Sequence, residues 1–338
     1  MDLGVLAPYV IADPIVNSFI TGGSGFVGGV LIRALKARGD RVVCLARSDK
    51  AEAAVRDAGA DDVARGDLSD TDAMKAGMSG CDVVFHSAAV VTDWGDPKLF
   101  DAVNIEGTAN TLQAARGAGV KRFVHVSTEA VLVGGKPLID VDETRDYPKK
   151  PLGLYPRTKG AAERLVREAN GDELTTVIMR PRFIWGAGDT TLLPQLIDAV
   201  ETGKFRWVAG GHYLTSTCHV DNVVEGLLLG ADKGKGGETY FLTDGEPQDF
   251  REFISAMLAT QNVDAGAKKV PRWVVKASAW TLEGVWKLFR VKRPPPITRT
   301  AVRLVGEQVT VVDTKARDEL GYRAKVTPAA GLAAMANS

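Results

Sequence analysis

The chain has 338 residues, 45% hydrophobic and 25% charged, which is ample for one large or two modest globular units with a sizeable core. Forty-two basic residues balance forty-two acidic ones, so no net field gathers nucleic acid or an anionic surface, and any membrane contact must be local. No run of eighteen uncharged apolar residues offers a bilayer span; Cys44, Cys81 and Cys218 lack Cys-x-x-Cys spacing and read as buried thiols of a reducing compartment, with the cytoplasm as default.

Residues 1–16 include Asp2, Asp13 and Pro14 but no basic residue, which predicts an N-terminal extension rather than a secretory signal. Phe19 and Ile20 then lead into Thr21-Gly22-Gly23-Ser24-Gly25-Phe26-Val27-Gly28-Gly29, beyond which Val30, Leu31, Ala34 and Leu35 keep helical spacing. A strand that turns sharply into a helix, through glycines that admit a phosphate to the amides at the helix's positive end, suits a dinucleotide. The helix ends at Gly39. β-branched runs at Arg41–Ala46, Asp82–His86, Lys121–Val126 and Thr175–Met179 alternate with helices, the longest being about Phe100–Ala118 and Tyr155–Asn170. This alternation predicts an α/β fold, a Rossmann-type doubly wound parallel sheet. After Arg180 the rhythm changes, with helices near Leu192–Thr202 and Asp221–Ala231 and a strand at Thr239–Leu242. The expected division is a dinucleotide-binding domain over 17–180, further sheet elements from 181–245, and a smaller substrate-binding lobe over 181–338.

Where a carboxylate after the second strand would hold the ribose hydroxyls of NAD, the chain reads Leu45-Ala46-Arg47-Ser48. A planar guanidinium with a hydroxyl beside it suits a 2′-phosphate, so NADP(H) is preferred and NAD(H) is the second choice. Asp67 and Leu68 fall where an adenine edge would lie; the alternative for Asp67 is a turn before Asp70, itself placed to cap a helix. In Tyr155-Pro156-Arg157-Thr158-Lys159 the phenol and the ammonium share one helix face, and the lysine's charge would draw the phenol's pKa of about 10 toward neutrality. Ser127 and Thr128 end the strand Phe123–Val126, at the sheet edge where doubly wound folds bind ligands. Either hydroxyl could hold a carbonyl oxygen while Tyr155 delivers a proton, or merely satisfy a turn. The four histidines show no metal-ligand spacing, and no metal is expected.

Together with Ser87-Ala88-Ala89, Asn104, Gly107-Thr108 and Arg180-Pro181-Arg182-Phe183-Ile184-Trp185-Gly186, these motifs resemble, in order, those of the extended short-chain dehydrogenase/reductases over about residues 17–244. His219-Val220-Asp221-Asn222 and the stretch from Asp313 to Tyr322 are similar to the 3β-hydroxysteroid dehydrogenase branch, which includes sterol-4α-carboxylate 3-dehydrogenases and 2-alkyl-3-oxoalkanoate reductases. The resemblance implies an NADP(H)-dependent oxidoreductase that interconverts a secondary alcohol and a ketone on a steroid, sterol or long-chain lipid. It makes Tyr155 the acid/base and Lys159 its partner, with Thr128 in the usual serine position and Ser127 beside it. Gly22, Gly25, Phe26, Val27, Gly28, Arg47, Ser48, Asp67, Leu68, Ala88, Ala89, Pro181 and Ile184 would line the cofactor cleft with Tyr155 and Lys159, and a homodimer would form through the two long helices. Two rival readings are a nucleotide-sugar epimerase or dehydratase with tightly held NAD, and a non-catalytic cofactor-sensing protein.

A Trp-rich amphipathic helix is expected at about 271–292. Lys276, Glu283, Lys287 and Arg290 fall on one narrow stripe of it, and Trp273, Val274, Val275, Trp280, Leu282, Val285, Trp286, Leu288 and Phe289 fill the remaining circumference. Two placements stay open. The apolar face is either buried against the substrate lobe or lies in a membrane interface, flanked by Lys287, Arg290, Lys292 and Arg293.

Overall fold

Short runs of apolar residues build the centre of the molecule. In the computed structural model, which describes residues 16–289, 291 and 293–337, β1 (Asn17–Thr21), β2 (Arg41–Ala46), β3 (Asp62–Arg65), β4 (Val83–His86) and β5 (Arg122–Val126) join the strands Thr175–Pro181 and Thr239–Leu242. All seven are parallel, in the order Thr239–Leu242, Thr175–Pro181, β5, β4, β1, β2, β3. Both faces are covered, which is why β4 is buried at every position instead of alternating. One face packs Ile20, Cys44 and Phe85 against Leu31 and Leu35 of α1 (Phe26–Ala37) and Leu227 of the helix Val220–Lys233. The other packs Phe19, Val84 and Phe123 against later helices through Met74, Leu112 and Val166.

The remaining helices of this half are α2 (Asp49–Asp57), α3 (Thr71–Gly77), α4 (Pro97–Phe100), α5 (Gly107–Gly117) and α6 (Leu154–Glu168). A π-helical turn, Asp101–Glu106, joins α4 to α5, so the helix expected from Phe100 starts three residues earlier and is wider at its middle. Strand order reverses between β1 and β4, whose ends meet at Thr21 and His86, and this opens a cleft at the carboxyl edge. A second, four-stranded sheet runs Gln248–Asp249, Leu214–Thr215, Val309–Val311, Leu138–Val141, so the first half of the chain lends it a strand. Beside it, Trp185, Trp207, Phe250 and Phe253 form a separate aromatic core.

All three cysteines are buried free thiols, with Cys44 pushed up to about 12 and Cys81 to about 11, first of all by burial. Among the described residues no helix is long and apolar enough to cross a membrane. The expected extension, apart from Val16, lies outside the described residues, as do Arg290 and Lys292.

Candidate active site

The glycine turn makes room by lacking side chains. Gly22 has φ +75°, and a Cβ there would stand 2.6 Å from the Ala88 nitrogen; one on Gly28 would stand 2.2 Å from the Gly22 oxygen. Gly25 is the N-cap of α1, and no side chain caps that helix end, so its amides face the cleft without a protein carboxylate or hydroxyl on them. Phe26 and Val27 open the helix half-buried.

Beneath the turn runs a chain of hydrogen bonds with a fixed direction. Thr108 Oγ1 donates to the Asn104 carbonyl at 2.7 Å, so it accepts from His86 Nε2 at 3.0 Å; His86 Nδ1 then accepts from Thr21 Oγ1 at 2.7 Å. Burial first, and the charge of Lys159 second, push His86 down to about 3, and the ring is neutral. Asn104, presented by the π turn, accepts from Val90 N at 2.7 Å and donates to Val90 O at 3.1 Å and to Thr158 Oγ1 at 3.0 Å. It therefore binds the segment after Ala88 and Ala89 to α6.

At the far end of the cleft Arg47 and Ser48 are exposed. Ser48 uses its oxygen to cap α2, accepting from Ala51 N at 3.3 Å. Asp67 accepts from the hydroxyl and the amide of Ser69, at 2.6 and 2.7 Å, and these bonds, helped by the Arg47 charge, hold its carboxyl below the usual range. The Leu68 carbonyl accepts from Asn110 at 2.9 Å, and Asp70 caps α3.

The reactive groups come from two elements. Gly153, at φ +98°, starts α6, and Tyr155 follows in its first turn. Thr128 ends the extended chain after β5 and caps a short 3-10 turn, Glu129–Leu132. Its hydroxyl donates to Glu129 Oε2 at 2.8 Å, and Tyr155 hydrogen-bonds to it. Glu129 is itself only 3% exposed and pairs with the buried Arg182 at 3.2 Å, which also donates to Thr215 Oγ1 and to the Leu304 carbonyl.

Burial pushes the Tyr155 phenol well above its ordinary pKa, followed by the charge of Glu129, with Asp93 and Glu163 adding and only the Thr128 bond opposing. The lowering expected from Lys159 is therefore not what governs the phenol here. The Lys159 ammonium reaches instead to the end of β5, donating to the Val126 carbonyl at 2.7 Å and to His125 Nε2 at 3.2 Å. Burial draws its pKa down to about 8, and holds His125 neutral as well. Ser127 is buried beside Glu163, whose pKa it helps to lower. Pro181 ends its strand buried beside Leu242, and after Phe183, at φ +48°, Ile184 pairs with Cys218.

Two acids in the site are absent from the motif reading. Asp93 is held by Thr298 Oγ1 at 3.1 Å and raised by burial; its sequence surroundings carry no signal. Glu129 did leave one, as a lone charge ahead of Ala130-Val131-Leu132-Val133, where only a partnered carboxylate can be buried.

Residues 19–272 match the 3-beta hydroxysteroid dehydrogenase/isomerase family. The chain is 49% identical, over 95% of its length and 96% of the relative's, to a 4-hydroxy-2-methyl-3-oxo-4-farnesyl-3,4-dihydroquinoline-1-oxide ketoreductase of Stigmatella aurantiaca. It is 33% identical, over 93% and 96%, to a 2-alkyl-3-oxoalkanoate reductase of Stenotrophomonas maltophilia. The solved dTDP-glucose 4,6-dehydratase of Streptomyces venezuelae, with NAD bound, superposes with a TM-score of 0.74 at 24% identity over 95% and 96%, a likeness of fold.

A lysine whose folded pKa lies below its unfolded value of about 10.4 binds fewer protons when folded, so its cost to stability is full below pH about 8 and fades as pH rises toward 10. Lys159→Met should therefore gain stability relative to the parent at neutral pH, by of order 3 kcal/mol, and lose that advantage above pH about 10. Urea unfolding at the two pH values reads the difference; an advantage that does not depend on pH would rule out the buried ammonium as its source.

Proposed function

This chain belongs to the 3-beta hydroxysteroid dehydrogenase/isomerase family of NAD(P)-dependent oxidoreductases acting on CH–OH groups, and we propose that it is an NADPH-dependent ketoreductase for an apolar substrate. The observation that carries this reading is the Tyr155 phenol, hydrogen-bonded to Thr128 and kept protonated by burial, Glu129 and Asp93. A phenol in that state is a proton donor, suited to an oxygen that gains negative charge as a carbonyl is reduced. In the reverse direction the same carboxylates would oppose the phenolate that must form first.

The glycine turn fits the cofactor: Gly22 and Gly28 have no space for a Cβ, and α1 offers uncapped amides to a pyrophosphate. Arg47, exposed at the end of β2, suits a 2′-phosphate. When bound, NADPH supplies the hydride for the carbonyl carbon. Tyr155 gives its proton to the carbonyl oxygen, and Thr128, hydrogen-bonded to the phenol, holds that oxygen in place. Lys159 keeps one N–H beyond those used at Val126 and His125, enough to hold a ribose hydroxyl. Both relatives carry names in which a 3-oxo group sits beside a carbon bearing an apolar chain, farnesyl in one and alkyl in the other. The substrate class proposed is therefore a ketone next to an alkyl- or prenyl-bearing carbon.

Tyr155→Phe should lower reduction of such a ketone roughly a thousandfold while NADPH binding, read by its fluorescence, stays nearly intact; retained turnover would remove Tyr155 from the chemistry. Arg47→Ala should weaken NADPH about tenfold and leave NADH unchanged, and an equal loss for both would point away from the 2′-phosphate. In Glu129→Gln one carboxylate no longer raises the phenol's pKa, so the fall of kcat on the basic side should move to lower pH. A basic limb that stays in place would detach Glu129 from the proton donor.

A further inference from the structure

In the helix Arg272–Leu288 Glu283 faces inward, whereas Trp273 and Trp280 face out. Glu283 is 7% exposed, accepts from the Arg299 amide at 2.6 Å and pairs with the Arg299 side chain at 2.8 Å. Lys276 pairs with Glu307 at 2.5 Å, and Val275 and Ala279 pack on Val302. On the opposite side Trp273, Trp280 and Leu288 are 73%, 69% and 77% exposed. Their spacing of seven and eight residues aligns them along one edge of the helix. The inner contacts are ionic and directional, so the helix cannot roll to cover the tryptophans without stranding Glu283.

The charge around this edge is equally one-sided. From Lys268 to Arg303 the sequence holds ten lysines and arginines against Glu283 alone, in a chain with no net charge. At the foot of Trp280 lies a cavity of about 370 Å³ with Leu152 and Val302 on its wall and Lys150, Lys276, Arg299 and Arg303 around it. We propose that this face docks on an anionic phospholipid bilayer, with Trp273, Trp280 and Leu288 seated at the boundary of headgroups and acyl chains and Lys287 and Arg293 against the phosphates. A second copy of the chain would bring the same basic surface against itself and be repelled.

The docked face adjoins the cleft. The Val291 carbonyl just beyond the helix accepts from Trp94 Nε1 at 3.2 Å, and the neighbouring Asp93, whose charge acts on Tyr155, is held by Thr298. A bilayer at this helix thus lies beside the loop that borders the proton donor, where an apolar substrate can pass from lipid to site.

The test is sedimentation of the full chain with vesicles of phosphatidylcholine and phosphatidylglycerol, compared with phosphatidylcholine alone. Binding to the mixed vesicles, weakened by salt, is expected, and Trp273→Ser with Leu288→Ser should lower it at least about tenfold with an unchanged thermal unfolding midpoint. Unchanged binding of the variant, no preference for phosphatidylglycerol, or a dimer of the parent that the variant dissociates would each overturn the proposal. No turnover is measured, so this outcome is separate from that of the ketoreductase reading.

Discussion

Glu163 and Arg180 meet entirely out of water, and the geometry of the site follows from that contact. Arg180 Nε and Nη2 donate to the two carboxylate oxygens at 2.9 and 2.6 Å, and the Tyr147 hydroxyl donates to Glu163 at 2.5 Å. The guanidinium also lies over the rings of Tyr147 and Phe241. Stranding either charge would cost about 3–5 kcal/mol, so α6 is tied to the strand Thr175–Pro181 at one rotation. Glu163 lies one turn beyond Lys159 and two beyond Tyr155. Fixing it aims the lysine at Val126 and the phenol at Thr128, and helical spacing alone would not select that rotation.

The same carboxylate joins Glu129 and Asp93 in opposing ionisation of the phenol, while Arg180 and Arg182 are already committed to Glu163 and Glu129 and the Lys159 ammonium is turned to Val126 and His125. His86 and His125 stack at 5.3 Å as neutral rings, held so by burial and by Lys159. The resting site is therefore arranged around a protonated tyrosine. An alcohol oxidase of this architecture would need the positive charge of an oxidised nicotinamide to offset three acids, whereas a reductase uses the phenol as it stands.

Features written in local periodicity were legible in the sequence. The strands Arg41–Ala46 and Thr239–Leu242, the glycine turn and the shared face of Tyr155 and Lys159 need only neighbours a few residues apart. Features that depend on distant partners were not. Leu138–Val141 pairs with Val309–Val311 across some 170 residues, and nothing in either segment names the other. Thr128 and Ser127 are equivalent as letters, and only the fold sets the Thr128 hydroxyl between Glu129 and Tyr155 and buries Ser127 beside Glu163. Lys159 shows the same limit: spacing fixes its helix face, while the acceptors at the end of β5 decide where the ammonium goes.

For the helix Arg272–Leu288, the distribution of charge around the axis left two placements open, because amphipathicity is a property of an isolated helix. A stripe with Glu283 and Lys276 becomes the inner side once Arg299 and Glu307, from elsewhere in the chain, supply counter-charges. The outward face then forgoes burial of Trp273, Trp280, Leu288 and Phe289, at about 1.5–3 kcal/mol each, a total comparable with the whole stability of a domain. Ion pairs at a protein surface return far less than that. An arrangement that leaves so much apolar area in water within the monomer is stabilised only when something apolar covers it, and the surrounding excess of lysine and arginine favours an anionic cover over a second copy of the chain.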